Sequence, residues 1–381
     1  MTMKKIALFV HEAQNGIGHT NAMLEVLRRF PLSKGDQLDF VCYTHDQPEE
    51  LVQIEGVKVN IHKVPFPWLK PFLLKMIWFH LYSWFLTLTK YNDFTRISIG
   101  IASFNCDYIN VQFVHQMWEK YYFQNQKMPF YKYLYKKILF LYFRISEQLY
   151  YRKRNVCLIC LSSFIKDYLE KEYEKTKDKC ILCYSGTNIR DYFPIDQSKS
   201  DIFKELIGKY PQLEALNLEK PIYLFVGAFE RKGLKYAIES LAQLKTSQLI
   251  IIGKPEVGNP SPEIPENINA VWISFTKKLN LFYNLADNFV FPTLYEPFGL
   301  VIVEAAACGM RVFITKEEVG ASEIFKNLKD IHFVEKMKRF PITNNELLDK
   351  ESRSQNVEQR INVINKYSWD MAAKTWYQAI F

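Results

Sequence analysis

The sequence predicts an α/β protein of two domains, each a parallel β-sheet packed between helices. Short apolar runs alternate with amphipathic helical stretches along the whole chain, the pattern of parallel strands joined by helical crossovers. The length, 381 residues, exceeds what one hydrophobic core ordinarily serves. A polar stretch, Asp196 to Lys220, separates two halves of similar element order and reads as the interdomain linker. The boundaries that follow are residues 1–194 and 195–365, with a last helix over 366–381.

The first half opens on an apolar strand, Ile6 to Val10, followed by a loop holding Asn15-Gly16-Ile17-Gly18-His19 and then an amphipathic helix. A Gly-x-Gly after a strand serves either as a plain turn or as a loop that lets the backbone approach a ligand. Further on, YINVQFVHQ, residues 108–116, is a β-like run reaching His115, and VCLICLSSFIKDYL, residues 156–169, reads as a strand, a serine turn and a helix. The second half begins with PIYLFVGAFERKG, residues 221–233: a buried strand, Gly227, and a loop carrying Arg231, Lys232 and Gly233 before the next helix. Two adjacent cations there suit a diphosphate, and a solvated basic turn is the plainer alternative.

The stretch YEPFGLVIVEAAACG, residues 295–309, carries the most chemistry. It follows the apolar strand NFVFP and places two carboxylates, Glu296 and Glu304, on either side of Gly299 and a buried apolar helix. The free N–H groups at the start of that helix suit anionic oxygens, and Glu296 suits sugar hydroxyls at its mouth. Counting roughly 100° per residue, the two carboxylates are expected to share one helix face, roughly 12 Å apart.

Pro-Phe-Gly-Leu directly after Glu296 and Glu-Ala-x-Ala-x-Gly from Glu304 resemble the donor-site signature of the retaining family 4 glycosyltransferases. The other landmarks quoted above extend the resemblance over most of the chain. It implies the GT-B architecture, two Rossmann-like domains with parallel sheets facing a central cleft, with the closing helix crossing back to the first domain. By the same resemblance, Glu296 holds donor hydroxyls, Glu304 the ribose, and Arg231 and Lys232 the diphosphate. Gly227, Phe298, Gly299 and Leu300 complete the donor site, Gly16 meets the phosphate or the acceptor edge, and His115 the hydroxyl of the reacting sugar. The chain departs from the commonest pattern at Ala228, where an Arg often follows the strand-ending glycine, so the phosphate role falls to Arg231 and Lys232.

The activity implied is transfer of a hexose, with retention, from a nucleotide sugar of the UDP-glucose or GDP-mannose type to a lipid-linked or saccharide acceptor in cell-surface glycan synthesis, as for lipopolysaccharide. In such enzymes the acceptor attacks on the face from which the diphosphate leaves, and the phosphate takes the proton. No Asp-x-Asp occurs in the sequence, so no divalent metal or other cofactor is expected. Arg231, Lys232 and the N–H groups near Gly299 then meet the leaving charge. Two alternatives stay open: a sugar-nucleotide epimerase or hydrolase of the same plan, and a catalytically silent sugar- or nucleic-acid-binding protein. Nucleic acid is not the expected partner, because it leaves the glutamate pair and the Arg-Lys-Gly loop unexplained.

Charge is uneven along the chain. Residues 1–194 hold 26 Lys and Arg against 18 Asp and Glu, and the remainder is neutral. The excess is interleaved with aromatic residues between Phe66 and Tyr91 and between Tyr121 and Arg154, which suits an anionic bilayer surface. A pair of aromatic core helices is the competing reading. Cations interrupt both segments, so neither is expected to span a membrane. Lys4 and Lys5 precede too short an apolar run for a signal peptide, and the expected location is cytoplasmic, peripheral on the inner face of the cell membrane.

Cys157, Cys160, Cys180 and Cys183 form two Cys-x-x-Cys pairs with the spacing of a four-thiolate zinc site. Both pairs lie in apolar, strand-like runs, where residues three apart point to opposite faces, so no metal site is expected.

Overall fold

A computed structural model describes residues 3–14, 18–124, 128–153, 155–173, 176–187, 191–256, 259–326, 328–342 and 347–381. The chain folds as two compact units, Met1–Gly186 together with Trp369–Phe381, and Thr187–Ser368.

Unit 1 contains β1 (Lys5–Phe9), β2 (Glu12–Ala13), β3 (Gln37–Cys42), β4 (Thr44–His45), β5 (Lys58–Lys63), β6 (Thr95–Ile99), β7 (Tyr108–Val111), β8 (Cys157–Cys160) and β9 (Cys180–Leu182). Seven of these form one sheet in the order β5-β3-β1-β6-β7-β8-β9, and β2 pairs with β4. Every pairing is parallel. The closing helix, Trp369–Ile380, belongs to this unit. Its Ala372, Ala373 and Trp376 are buried, Tyr377 meets Phe30 edge-on at 5.9 Å, and Asp370 pairs with Arg29 at 3.2 Å.

Unit 2 contains β10 (Ile222–Val226), β11 (Ser247–Ile252), β12 (Ile268–Ile273), β13 (Asn288–Phe291), β14 (Arg311–Thr315) and β15 (Ile331–Val334), in the order β12-β11-β10-β13-β14-β15. These pairs are parallel as well. Every residue of β10, β11 and β13 is buried, as expected of strands covered on both faces. In each unit the strand order turns back beside the first strand, at β1 and at β10, and in open α/β sheets ligands bind beyond the carboxyl ends of the strands at such points.

The stretch expected as a linker is instead folded into unit 2. Residues Lys199–Ile207 form a helix whose Ser198 cap accepts from the Asp201 N–H at 3.1 Å, and Pro211–Ala215 a 3₁₀ turn. Ile202, Leu206, Tyr210 and Leu213 are buried. Their spacing of three and four residues supplies an apolar seam to a stretch that is polar on average.

The aromatic-basic segments of unit 1 fold as the helices Phe72–Leu88 and Phe130–Tyr151. They touch: Tyr135 Oη accepts from the Leu73 N–H at 3.2 Å, and the Tyr142 ring stacks on His80. One face of each is core, through Met76, Phe79 and Leu86 and through Leu139, Phe140, Phe143 and Tyr150. Outside lie Leu74, Leu81, Trp84, Phe85 and Leu88 on the first and Leu134, Ile138, Leu141, Ile145 and Leu149 on the second, all exposed. Among the described residues no helix is long and apolar enough to cross a membrane.

Candidate functional site

The loops beyond the carboxyl ends of β10 and β13 build a charged cradle in unit 2. Gly227 ends β10 with φ +134°, and a Cβ placed there would lie 2.9 Å from Cγ of Lys232. The loop turns back so that the Lys232 N–H reaches the Ala228 carbonyl at 3.1 Å. Arg231 Nη1 donates to Glu296 Oε2 at 3.2 Å and to the Tyr295 carbonyl at 3.1 Å, and Lys232 Nζ pairs with the same carboxylate oxygen. Lys232 Nζ also lies 4.9 Å from the centre of the Phe291 ring. Burial pulls Arg231 below its ordinary pKa, and burial followed by the Arg231 charge pulls Lys232 well below its own. Both cations therefore depend on an anion at this point, and Glu296 supplies it.

Glu296 is not on the helix. The sequence reading placed both glutamates on one helical face, but the helix runs Leu300–Ala307, capped by Gly299 at φ +101°. Pro297 disfavours a helical conformation at the residue before it. Glu296 instead forms an isolated parallel bridge with Val319: its N–H reaches the Glu318 carbonyl at 3.0 Å, and its carbonyl accepts from Gly320 at 3.1 Å. Phe298 is buried and accepts from the Ala321 N–H at 2.7 Å, so the segment after β14 holds the donor-type motif in place. Leu300, half-buried, opens the helix.

Glu304 sits one turn into that helix and faces a different set of partners. Tyr283 Oη donates to its Oε2 at 2.9 Å, and Tyr192 also hydrogen-bonds to the carboxyl. Burial outweighs these two bonds and pushes Glu304 up to about 7. Arg353 fixes this corner by donating to the carbonyls of Tyr283 (2.9 Å), Cys308 (2.9 Å) and Ala286 (2.7 Å), while Arg360 reaches those of Ala306 (3.3 Å) and Met310 (2.7 Å). The sequence reading singled out none of Tyr192, Tyr283, Arg353 and Arg360. The two arginines sit in a polar helix, Lys350–Lys366, and carry no sequence signal of burial.

His115 lies in unit 1, at the start of the helix His115–Tyr122. Its N–H donates to Glu147 Oε1 at 2.5 Å, its Nδ1 lies 2.9 Å from the same oxygen, and its ring stacks on Phe143 at 4.1 Å. Glu147, fully buried, was also missed, although a signal existed. It is the sole carboxylate in residues 130–151 and falls in helical register with the buried Phe143 and Tyr150. Gly16 lies outside the described residues. Among those residues no group of three or more His, Cys, Asp or Glu side chains is arranged to hold a metal ion. Cys157 and Cys160 begin and end β8, and Cys180 begins β9.

Residues 208–362 match the family model described as Glycosyl transferases group 1. The chain is 30% identical over 223 residues to a probable sucrose-phosphate synthase of Thermosipho melanesiensis, covering 55% of this chain and 48% of that relative. The chain thus spans about half the length of this relative. It is 24% identical over 318 residues to the N,N'-diacetylbacillosaminyl-diphospho-undecaprenol alpha-1,3-N-acetylgalactosaminyltransferase of Campylobacter jejuni, covering 79% of this chain and 80% of that one. The crystal structure of WaaG, a glycosyltransferase involved in lipopolysaccharide biosynthesis, superposes with a TM-score of 0.65 at 14% identity, covering 98% of this chain and 95% of WaaG. That likeness identifies the fold as GT-B.

Proposed function

We take as premise that the chain carries a Glycosyl transferases group 1 domain on a GT-B fold, and propose that it is a retaining glycosyltransferase using a nucleotide-diphosphate hexose. The observation that carries this reading is the convergence of Arg231 and Lys232 on Glu296 beside Gly227 and Gly299, at the carboxyl ends of β10 and β13. A diphosphate is met there by two partly buried cations and by the N–H groups that open the helix Leu300–Ala307. As the bond to the sugar breaks, charge grows on the leaving phosphate, and cations already in place stabilise it without reorganisation.

We assign the remaining roles from the family resemblance. Glu296 accepts from donor hydroxyls once the diphosphate shares its cations, and Glu304, with Tyr192 and Tyr283, accepts from the ribose. His115, oriented by Glu147, offers Nε2 to the reacting sugar. We assign no divalent metal to the reaction, because the charge it would offset is matched by Arg231 and Lys232.

The acceptor is a lipid-linked or saccharide hydroxyl, and we place the reaction at an anionic membrane surface. The outward apolar stripes of Phe72–Leu88 and Phe130–Tyr151 favour that setting. The ionisable side chains in the two segments, apart from the buried Glu147 and tyrosine or histidine, are Lys75, Lys132, Lys136, Lys137 and Arg144.

Calorimetric titration with UDP and GDP in EDTA tests the donor reading. Saturable binding of one nucleotide is expected. Binding of neither, before or after magnesium is added, defeats it.

A further inference from the structure

Two loops of unit 2 are tied together behind the donor-type motif. The loop after β14 runs Lys316, Glu317, Glu318, of which the first two are exposed and the third turns inward. Glu318 holds a left-handed backbone, φ +55°, and its carboxylate pairs with the ammonium of Lys336, in the loop after β15. That second loop has a left-handed residue of its own, Met337 at φ +61°, in a turn closed by the Lys338 N–H on the Glu335 carbonyl at 3.1 Å. The side chains of the pair are 12% exposed at Lys336 and 20% at Glu318, so neither charge is freely hydrated.

We propose that Lys336 and Glu318 are positioning residues, whose ion pair fixes the backbone that holds Glu296 and so sets where the Glu296 carboxylate stands. Their bearing on the reaction rests on the glycosyltransferase reading. Their hold on Glu296 rests on the contacts alone.

Backbone bonds carry the connection. The Glu318 carbonyl accepts from the Glu296 N–H at 3.0 Å, the Gly320 N–H donates to the Glu296 carbonyl at 3.1 Å, and the Ala321 N–H donates to the Phe298 carbonyl at 2.7 Å. The first two bracket Glu296, whose side chain then receives Arg231 Nη1 at 3.2 Å and Lys232. A left-handed conformation is uncommon for a residue with a side chain and persists only where its surroundings over-determine it. At Glu318 those surroundings come from three sides. The Lys316 N–H on the Val334 carbonyl at 2.9 Å anchors the loop to the β14–β15 pair, the bridge to Glu296 anchors its far end, and Lys336 holds the side chain. Turning Glu318 out of this conformation redirects its carbonyl, because the peptide unit is planar and moves as one body. The Glu296 N–H then loses its acceptor. Without Lys336, the partly buried Glu318 carboxylate is left uncompensated and is drawn towards water, which drives that turn.

Amide hydrogen exchange of the full chain, read by mass spectrometry, tests the hold on Glu296 without any substrate. In Lys336→Met, residues 295–299 and 318–321 are expected to exchange severalfold faster, with β10, β11 and β13 unchanged and Lys336→Arg matching the natural sequence. Glu318→Gln/Lys336→Met removes both charges and leaves neither unpaired, so it keeps the test readable if Lys336→Met does not fold. The same local rise is expected there. Turnover of a UDP- or GDP-hexose at saturating donor is expected to fall about 10- to 100-fold in Lys336→Met, the scale of a displacement of about 1 Å. UDP and GDP carry no hexose for Glu296 to meet, so their affinity is expected to stay within about threefold of the natural chain's. Unchanged exchange in both variants removes the hold on Glu296, and an equal rise across all of unit 2 makes the pair an ordinary stabiliser. Faster local exchange with unchanged turnover overturns the role in the reaction. A natural chain that binds neither UDP nor GDP defeats the donor reading alone and leaves the exchange result standing.

Discussion

Lys232 and Glu296 are ion-paired where water has little access, their side chains 12% and 10% exposed, and Arg231 Nη1 donates to the same carboxylate oxygen at 3.2 Å. A carboxylate held by two cations is poised to give one of them up to a stronger anion. Lys232→Ala is therefore expected to lower turnover about 100- to 1,000-fold, the range for removing one preorganised electrostatic contact at developing charge. Steady-state kinetics with a UDP- or GDP-hexose, set beside nucleotide affinity, checks this. Weakened affinity with turnover unchanged at saturating donor would make Lys232 a ground-state holder instead.

Gly227 controls the same lysine from the backbone. A Cβ at this position meets Cγ of Lys232 at 2.9 Å, and φ of +134° is rarely adopted by residues with a side chain. Gly227→Ala is expected to lower stability by about 1–3 kcal/mol and to weaken nucleotide binding beyond what the fold loses. Thermal melts with and without UDP or GDP separate the two effects. A variant that melts lower but gains the usual nucleotide shift would show that Lys232 tolerates the displacement.

If Glu304 holds the ribose as proposed, nucleotide binding is expected to depend on pH. Its folded pKa, about 7, stands above its ordinary 4.5, so between those values the folded state keeps a proton that the unfolded state has released. Stability from this group is therefore present below pH 4.5 and is lost as pH rises through 7, by about 3 kcal/mol at most. The ionised carboxylate is the better acceptor for ribose hydroxyls, so nucleotide affinity is expected to rise over the same upper range. Titrations from about pH 6 to 8 should show the rise in the natural sequence and a flat profile in Glu304→Gln. A rise of equal size in the variant would assign it to another group.

The sheets and the charged cradle were legible because their signals are local. The apolar run of β10, Gly227 and the Arg-Lys-Gly loop are contiguous, as are Glu296, Gly299 and the helix behind them. What the sequence left out depends on chain segments far apart. Tyr283 and Arg353 reach the Glu304 corner from other helices, and nothing in their neighbours marks them. The linker reading failed for a related reason: Ile202, Leu206, Tyr210 and Leu213 form a seam only when followed at helical spacing, and the average composition hides it. The helical count from Glu296 to Glu304 failed because Pro297 and Gly299 delay the helix to Leu300.

The outer stripes of unit 1 predict adsorption to anionic vesicles. Lys132, Lys136 and Lys137 lie in one helix beside the exposed Leu134 and Ile138. At about 1 kcal/mol per cation near the surface, replacing all three with Gln is expected to weaken partitioning on the order of 100-fold at low salt. Co-flotation with phosphatidylserine-rich vesicles reads this out. A natural chain that stays at the bottom of the gradient at low salt would remove the membrane from the proposal.

Glu147 gives the last prediction, because it touches the proposed reaction only through His115. It is fully buried and accepts from the backbone N–H groups of His115 (2.5 Å) and Gln116 (3.3 Å), while its Oε1 also faces His115 Nδ1 at 2.9 Å. One carboxylate thus caps the helix His115–Tyr122 and orients the ring at its first residue. Glu147→Gln keeps the volume but replaces one acceptor oxygen with a donor, so one of these three contacts must be lost. Stability is expected to fall by about 1–3 kcal/mol, and turnover by more than that loss explains, with donor nucleotide affinity unchanged. Turnover of the variant, measured well below its melting temperature, decides between the two roles. If it matches the natural chain once the folded fraction is allowed for, Glu147 is a helix cap and His115 does not need its help.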